Sequence, residues 1–485
     1  MKPQLRAWLA WREGYAARSP GRAAYPGGGR HTRAGGRHTR AGGRHETALR
    51  LSAALSYLDI KILRRGDAMS GQDGEQALTR RGIPLDPQLR VLAIGAFATR
   101  FGSGAVMTTS AIYFTRHQGF TPAEVALAVS VAAAAALLAA LPAGHLGDTR
   151  GPREVLVWLM VALAFATPLP VLASSPWSLA VLLGAEAALA SSVNAVRNGV
   201  IAQVGIGGQG VRFKAYLRAV TNSAIALGSV VGGIALALDT RAAYVTAFAL
   251  AGVLTAFAAW NGTRLAHLPA YRRAAGEPRL GVLRDLPFVA VVVSTSLFSV
   301  HFVAAELGLA LFISQSTLAP QVMVAVLMLV NTVAVAAFQV RLSRRADSVT
   351  TGGRAMVRGG LLIAIGFTVM GLADGSSATV AVAVLLVGAC VHVVGEMIGS
   401  GGQWALQMGL APHEHQGQYQ GFTSLGFALM NVIGPPLVTL LCVHGGRTGW
   451  IAMGAIVLAS GIAAQVLGRW ALANRTAYGV TTHSG

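Results

Sequence analysis

The sequence predicts an all-α polytopic membrane protein: twelve transmembrane helices in two pseudo-symmetric six-helix bundles, with the N and C termini cytoplasmic. Three observations carry that expectation. Of 485 residues, 53% are hydrophobic and 12% charged, and the mean hydropathy is +0.55, whereas a soluble chain needs about a quarter of its residues charged to cover its surface. Twelve apolar runs follow Arg90, most of them close to the roughly 20 residues that cross a hydrocarbon core of about 30 Å. The basic residues of the connectors fall almost entirely on one side, as the positive-inside rule requires.

The first run, near 92–114, starts behind Arg90 and stops before Arg116. The second, near 123–143, opens on Thr121 and Glu124, whose spacing predicts a capping box, and stops at Gly144. Runs near 154–173 and 177–197 are separated by Ser-Ser-Pro, and runs near 219–238 and 243–260 by Asp-Thr-Arg. A connector spanning 261–287 then divides six runs from six, and the second set lies near 288–312, 321–340, 359–373, 378–400, 419–442 and 449–470. The domains expected are a 69–90 N-terminal segment, a 91–260 bundle, a 261–287 cytoplasmic linker, a 288–472 bundle and a 473–485 tail.

The formal charge of +20, with a pI near 11.3, would suggest nucleic acid on a soluble protein. Its distribution says otherwise. Residues 1–68 hold 14 Lys+Arg against 4 Asp+Glu, and residues 69–485 hold 25 against 15. With the N-terminus inside, 21 of those 25 lie in or beside cytoplasmic segments, Arg197, Arg212, Lys214 and Arg218 among them; only Arg116, Arg241 and Arg447 lie outside, and Arg100 sits within the first helix. Topology accounts for the body's charge, so a nucleic-acid partner is not expected.

Residues 1–68 read as a disordered Arg/Gly/His-rich leader, with a repeated GGRHTRA unit that brings His31, His38 and His45 every seven residues. The favoured reading is a mis-assigned start, with Met69 the true one; the alternative is a weak metal- or anion-binding arm. Cys390 and Cys442 sit in apolar runs, so no disulfide framework follows. Three lysines against 36 arginines indicate a GC-rich coding bias.

The two sets of runs also resemble one another. EVALAV at 124–129 parallels QVMVAV at 321–326, and LGSVVGG at 227–233 parallels LMNVIGP at 429–435, at offsets of 197 and 202 in helices that correspond by order. The connector GHLGDTRGPR at 144–153 resembles the G-x-L-x-D-R-x-G-R-R signature of the major facilitator superfamily, matching at Gly144, Leu146, Asp148, Gly151 and Arg153, with Arg150 beside the first mismatch. The resemblance covers about 88–472, in the manner of drug or metabolite exporters of high-GC bacteria. It implies a secondary transporter whose loop acts as a conformational latch, Asp148 accepting from Arg side chains and a helix N-terminus. The counterpart at 340–354 is degenerate, NAVRNG at 194–199 resembles the region where proton-coupled members carry an embedded Arg, here Arg197, and NSAIALGSVVGG at 222–233 resembles an antiporter motif without its Gly-Pro step, which Gly434 and Pro435 supply in the eleventh helix.

Charged groups inside a bilayer are costly unless they face a cavity or a partner. Arg100 in the first helix and Glu186 in the fourth are expected to pair. His301 and Glu306 lie in the seventh helix, and His392 and Glu396 in the tenth, four apart and so on one face, where a histidine beside a carboxylate could load and release a proton. One His and one Glu are too few to hold a metal, so none is expected. Asn331, Asn431 and Trp404 are further cavity or helix-contact candidates, and Gly228, Gly232, Gly233, Gly434 and Pro435 are candidate contact or hinge positions.

The expected function is secondary active transport of small molecules by alternating access in the cytoplasmic membrane. Proton-coupled efflux of drug-like or amphipathic metabolites is favoured over import or facilitated uptake of a nutrient. Partners would be the lipid bilayer, a small-molecule substrate and protons, the chain a monomer, and the proton gradient the energy source in place of a cofactor. The rival of another class is a non-transporting polytopic sensor or intramembrane enzyme; no nucleophile–base or metal-ligand constellation supports the enzyme.

Overall fold

The computed structural model describes residue 79 and residues 83–204, 209–271, 280–474 and 477. The leader at 1–68, Met69 and the middle of the 261–287 connector lie outside the described residues. Among the described residues, twelve helices are long and apolar enough to cross a membrane: α1 Pro87–His117, α2 Pro122–Arg150, α3 Pro152–Leu172, α4 Pro176–Val204, α5 Gln209–Leu238, α6 Arg241–Gly262, α7 Leu286–Ser316, α8 Val322–Ser343, α9 Val349–Gly371, α10 Ala378–Gly409, α11 His413–His444 and α12 Gly446–Asn474. Large apolar side chains such as Trp158, Phe165, Trp177 and Leu440 point outward, as a lipid-facing surface requires.

Several helices outrun their apolar cores. Helix α5 starts at Gln209 rather than 219 and α9 at Val349 rather than 359, while α10 runs on to Gly409 rather than 400. The extensions lie towards the face where α1 begins and α12 ends, here termed the terminal face, and they make Arg212, Lys214, Arg218, Arg354 and Arg358 helical residues rather than connector residues. The 144–153 segment is corrected likewise. It is helical to Arg150, and the turn reduces to Gly151, whose φ of +99° lies in the region that favours glycine. The capping box at Thr121 is formed, with Glu124 donating its N–H to Thr121 Oγ1 and its carboxylate accepting the Thr121 N–H at 2.8 Å.

The duplication is visible in the packing. In the first half α1 packs on α5 and α6, α2 on α4, and α3 on α4 and α6; in the second, α7 packs on α11 and α12, α8 on α10, and α9 on α10 and α12. Adding six to each helix number maps one set on the other. The seam between halves obeys the same rule, since α2 against α11 corresponds to α8 against α5.

Small residues let backbones meet where the helices cross. A Cβ at Gly228 would strike the Phe101 carbonyl, and one at Gly232 would lie 2.8 Å from the Ala105 carbonyl, so both hold α5 against α1. A Cβ at Gly434 would lie 2.9 Å from the Val303 side chain of α7. Gly233 is a correction, because it faces open space and makes no helix contact; it sits one residue, about 100° of helix rotation, past Gly232. Pro435 and Pro436 lie inside α11, followed by a π-helical turn at Thr439–His444. Helix α7 is interrupted as well: Leu286–Phe298 gives way at Ser299 to a short turn and then to a π-helical turn at Ala304–Gly308, of the kind that accompanies functional sites.

Candidate functional site

At the terminal face the halves are closed on one another. Asp148, near the end of α2 and 3% exposed, accepts the backbone N–H groups of Gly417 at 2.8 Å and Gln418 at 2.7 Å. Both N–H groups belong to the first α-helical turn of α11, which opens at Gln416, where a helix N-terminus points its leading donors and its positive dipole end at an anionic group. The approach is possible because Gly144 and Gly199 both face the backbone of Gly417, where a Cβ on either would overlap it. Gln418 also bonds His145 at 3.0 Å, and Lys214 donates to Gln420 at 3.3 Å. Arg153 does not reach Asp148. It bonds His267 and the Thr263 carbonyl and lies 3.6 Å from Glu154, tying the motif to the connector after α6. Arg150 is exposed, and Leu146 packs in the first-half core.

Away from that face, a cavity of about 420 Å³ lies between α5 of the first half and α7, α8 and α10 of the second. Its wall is largely apolar, with Met107, Ile225, Phe302, Leu309, Leu327, Met328 and Met370. Asn222, Ser229, Asn331, Thr332, Glu306, Arg218, His392 and Glu396 supply the polar groups. The five wall residues of α5, Arg218, Asn222, Ile225, Ala226 and Ser229, recur at helical spacing and so share one face.

The densest polar cluster joins the halves. Arg218 forms an ion pair with Glu396, donates to Ser400 at 2.7 Å, and lies 4.8 Å over the Phe302 ring. Glu396, 2% exposed, also accepts from Asn331 at 2.9 Å and has His392 Nδ1 3.9 Å away. A buried carboxylate needs such company, since burial of an unpaired charge is far more costly than burial of a satisfied one. His392 stacks on Phe367 with ring centroids 5.0 Å apart and meets His301 edge-on at 5.3 Å. His301, His392 and Glu396 each offer a ligand atom within 4.8 Å of the others. The sequence counted only two donors because His301 comes from another helix. Both nitrogens of His301 and Nε2 of His392 are buried without a hydrogen-bond partner among the described residues.

Glu306 lies on the π-helical turn of α7 and lines the cavity; among the described residues it makes no ion pair. The expected Arg100–Glu186 pair is not formed. Arg100 donates to Asn194 at 3.1 Å, and Asn194 is shared with Arg197. Glu186 stands eight residues back along α4, about 12 Å of helix rise, and so out of reach. It is half-buried and does not line the cavity. Asn431 and Trp404 are also outside the cavity wall.

Arg218 and Lys214 were read as connector charges because they precede the apolar run of α5, and Asn194 carried no charge to mark it. The signal that could have found Arg218 is the four-residue spacing of Lys214, Arg218 and Asn222, which puts three polar side chains on one face of α5.

The model of the Major Facilitator Superfamily matches residues 92–435. No curated protein matches the chain by sequence. Among solved structures, the human organic anion transporter MFSD10 (TETRAN) is similar with a TM-score of 0.59 and 13% identity, covering 78% of this chain and 99% of its own. A bacterial homologue of the iron transporter ferroportin, in its outward-facing state, gives 0.61 and 18%, covering 79% and 99%. The proton:xylose symporter XylE gives 0.57 and 12%, covering 78% and 94%. At these identities the likeness is one of fold. With twelve apolar helices in repeated sets of six, the motif on α2 engaged with α11, and a family match over most of its length, the chain belongs to the major facilitator superfamily of membrane transporters.

Proposed function

We propose that the protein exports drug-like or amphipathic small molecules across the cytoplasmic membrane by proton-coupled alternating access. The observation that carries this reading is a largely apolar cavity between the halves, sealed off at the terminal face, with the carboxylate of Glu306, which makes no ion pair among the described residues, in its wall. The 21-to-3 division of basic residues supports a cytoplasmic terminal face, and on that reading the cavity belongs to the outward-facing part of a cycle. An apolar wall suits an amphipathic guest. A carboxylate exposed to that wall attracts a positive end when ionised and loses that attraction when protonated. Proton and substrate thus compete for one group, which is the requirement for exchanging them in opposite directions. The Arg218–Glu396 pair fastens the halves in this state and must part as they rock.

Purified protein in liposomes tests the reading. Uptake of a fluorescent lipophilic cation into inside-acidic, inside-out vesicles should exceed uptake without a pH gradient, and Glu306→Gln should remove the difference. Gradient-independent uptake by the unaltered protein would instead indicate a facilitator.

A further inference from the structure

We propose that His301, His392 and Glu396 form a binding site for a divalent transition-metal ion of the zinc class, reached from the cavity. This goes beyond the export reading and depends on neither its direction nor its proton coupling.

The donor set comes first. Two imidazoles and one carboxylate bring ligand atoms within 4.8 Å of one another in a pocket where all three residues are at most 3% exposed. Nitrogen and oxygen atoms bound to one Zn²⁺ at about 2.0–2.1 Å stand roughly 3.3 Å apart in tetrahedral geometry. The donors therefore need to close by up to about 1.5 Å, which side-chain torsions can supply. His301 also sits two residues past Ser299, where α7 is interrupted.

The second observation is independent of spacing. Neither ring nitrogen of His301 has a hydrogen-bond partner among the described residues, and Nε2 of His392 has none. A histidine kept for packing would satisfy at least one nitrogen when fully buried. Here three nitrogens on two touching rings lack partners, and a neutral imidazole lone pair suits a borderline metal ion. Two nitrogens and one oxygen favour Zn²⁺, Co²⁺ or Ni²⁺ over Mg²⁺ and Ca²⁺, which want oxygen donors. His392 and Glu396 line the cavity, leaving the fourth position open to water or a guest molecule.

Arg218 makes the site consequential. It pairs with the same carboxylate from the other half of the molecule, so an incoming cation competes with the guanidinium for Glu396 and repels it. Occupancy would trade a contact between halves for one within the second half, loosening α5 from α10.

The test uses the untagged full chain in detergent with His31→Asn, His38→Asn and His45→Asn, so that the leader contributes no imidazole. Calorimetric titration with Zn²⁺ should show a single saturable ion per chain with no counterpart for Mg²⁺. Co²⁺ should develop the visible absorption of a tetrahedral site. His301→Asn and His392→Asn should each weaken Zn²⁺ binding by about tenfold or more and abolish the Co²⁺ bands. Arg218→Gln should tighten binding, a gain that misfolding cannot imitate. Absence of saturable Zn²⁺ binding, or binding unchanged in the His301→Asn/His392→Asn double variant, overturns the proposal and leaves the export reading untouched.

Discussion

Asp148 and Gln418 meet across the two halves of the molecule, 270 positions apart in sequence, with the carboxylate Oδ2 accepting the Gln418 backbone N–H at 2.7 Å. The other oxygen takes the N–H of Gly417, so one side chain holds the buried first α-helical turn of α11 against the end of α2. Asp148→Asn keeps the shape but turns an amide NH2 towards one of those N–H groups. An unsatisfied buried donor costs about 1–3 kcal/mol, enough to raise the population opened at the terminal face by about tenfold. Spin labels on Arg150 and His413, both exposed beside the seam, should report a longer distance component in the variant. An unchanged distance distribution would show that the contact does not hold the seam.

The Arg218–Glu396 pair should behave as a buried one. Glu396→Gln leaves a guanidinium between the halves without its counter-charge, and breaking such a pair costs about 3–5 kcal/mol. The Arg218→Gln/Glu396→Gln double variant should recover much of that loss. Thermal melting in detergent checks both; a double variant no more stable than the single one would mean the two side chains are not coupled.

Glu306→Gln should leave melting unchanged, because Glu306 makes no ion pair among the described residues. Its effect is expected in transport alone, where pH-gradient-driven flux should fall to the rate seen without a gradient. Full driven flux in this variant would move the proton to another carboxylate.

Two neighbouring glycines offer a paired test of packing. Gly228→Val pushes a branched side chain into the Phe101 carbonyl, and overpacking of this kind costs roughly 1–3 kcal/mol. Gly233→Ala, one position from Gly232 but facing open space, should change stability by no more than about 0.5 kcal/mol. Melting temperatures that fall equally would contradict the packing of α5 on α1.

At the face opposite the termini, Asp239 accepts from Tyr244 at 2.8 Å, from Arg116 at 2.6 Å and bonds His117 at 3.3 Å. The Tyr244 hydroxyl first, then Arg116 and His117, hold its carboxyl down at about 2 against an ordinary 3.8. The stability it contributes is therefore fully present above pH 4 or so and is lost as pH falls from there through about 2. Asp239 has a φ of +45°, which asparagine tolerates. Asp239→Asn should accordingly lower the melting temperature at pH 7 and flatten the acid limb of the profile between about pH 4 and 2, so that variant and parent converge at the acid end. An identical acid limb in the variant would remove Asp239 as a contributor.

The spans were legible because a bilayer imposes one length and one chemistry on every crossing segment. Helix ends were not, because hydropathy marks where lipid stops rather than where backbone hydrogen bonding stops; Gln209 to Arg218 and Val349 to Arg358 are helical yet polar. His392 and Glu396 could be joined on paper since four residues make one turn. Their companions could not, because Arg218, His301 and Asn331 arrive from three other helices whose rotation no local pattern states. Glu186 failed for the same reason in reverse: equal depth was inferred from position within an apolar run, and two turns of helix separate it from the level Arg100 occupies.

The two walls of the cavity differ in stiffness. Helix α5 runs unbroken from Gln209 to Leu238, pinned to α1 at Gly228, and carries its cavity stripe on the same rod as Lys214 and Arg218. Helix α7 across from it yields at Ser299 and again at Ala304–Gly308. A guest pressing between them meets a lever on one side and a cushion on the other, so differences in its size are absorbed by α7 while its presence is relayed along α5. Such a division would let one chain accept molecules of varied shape and still answer each with the same movement.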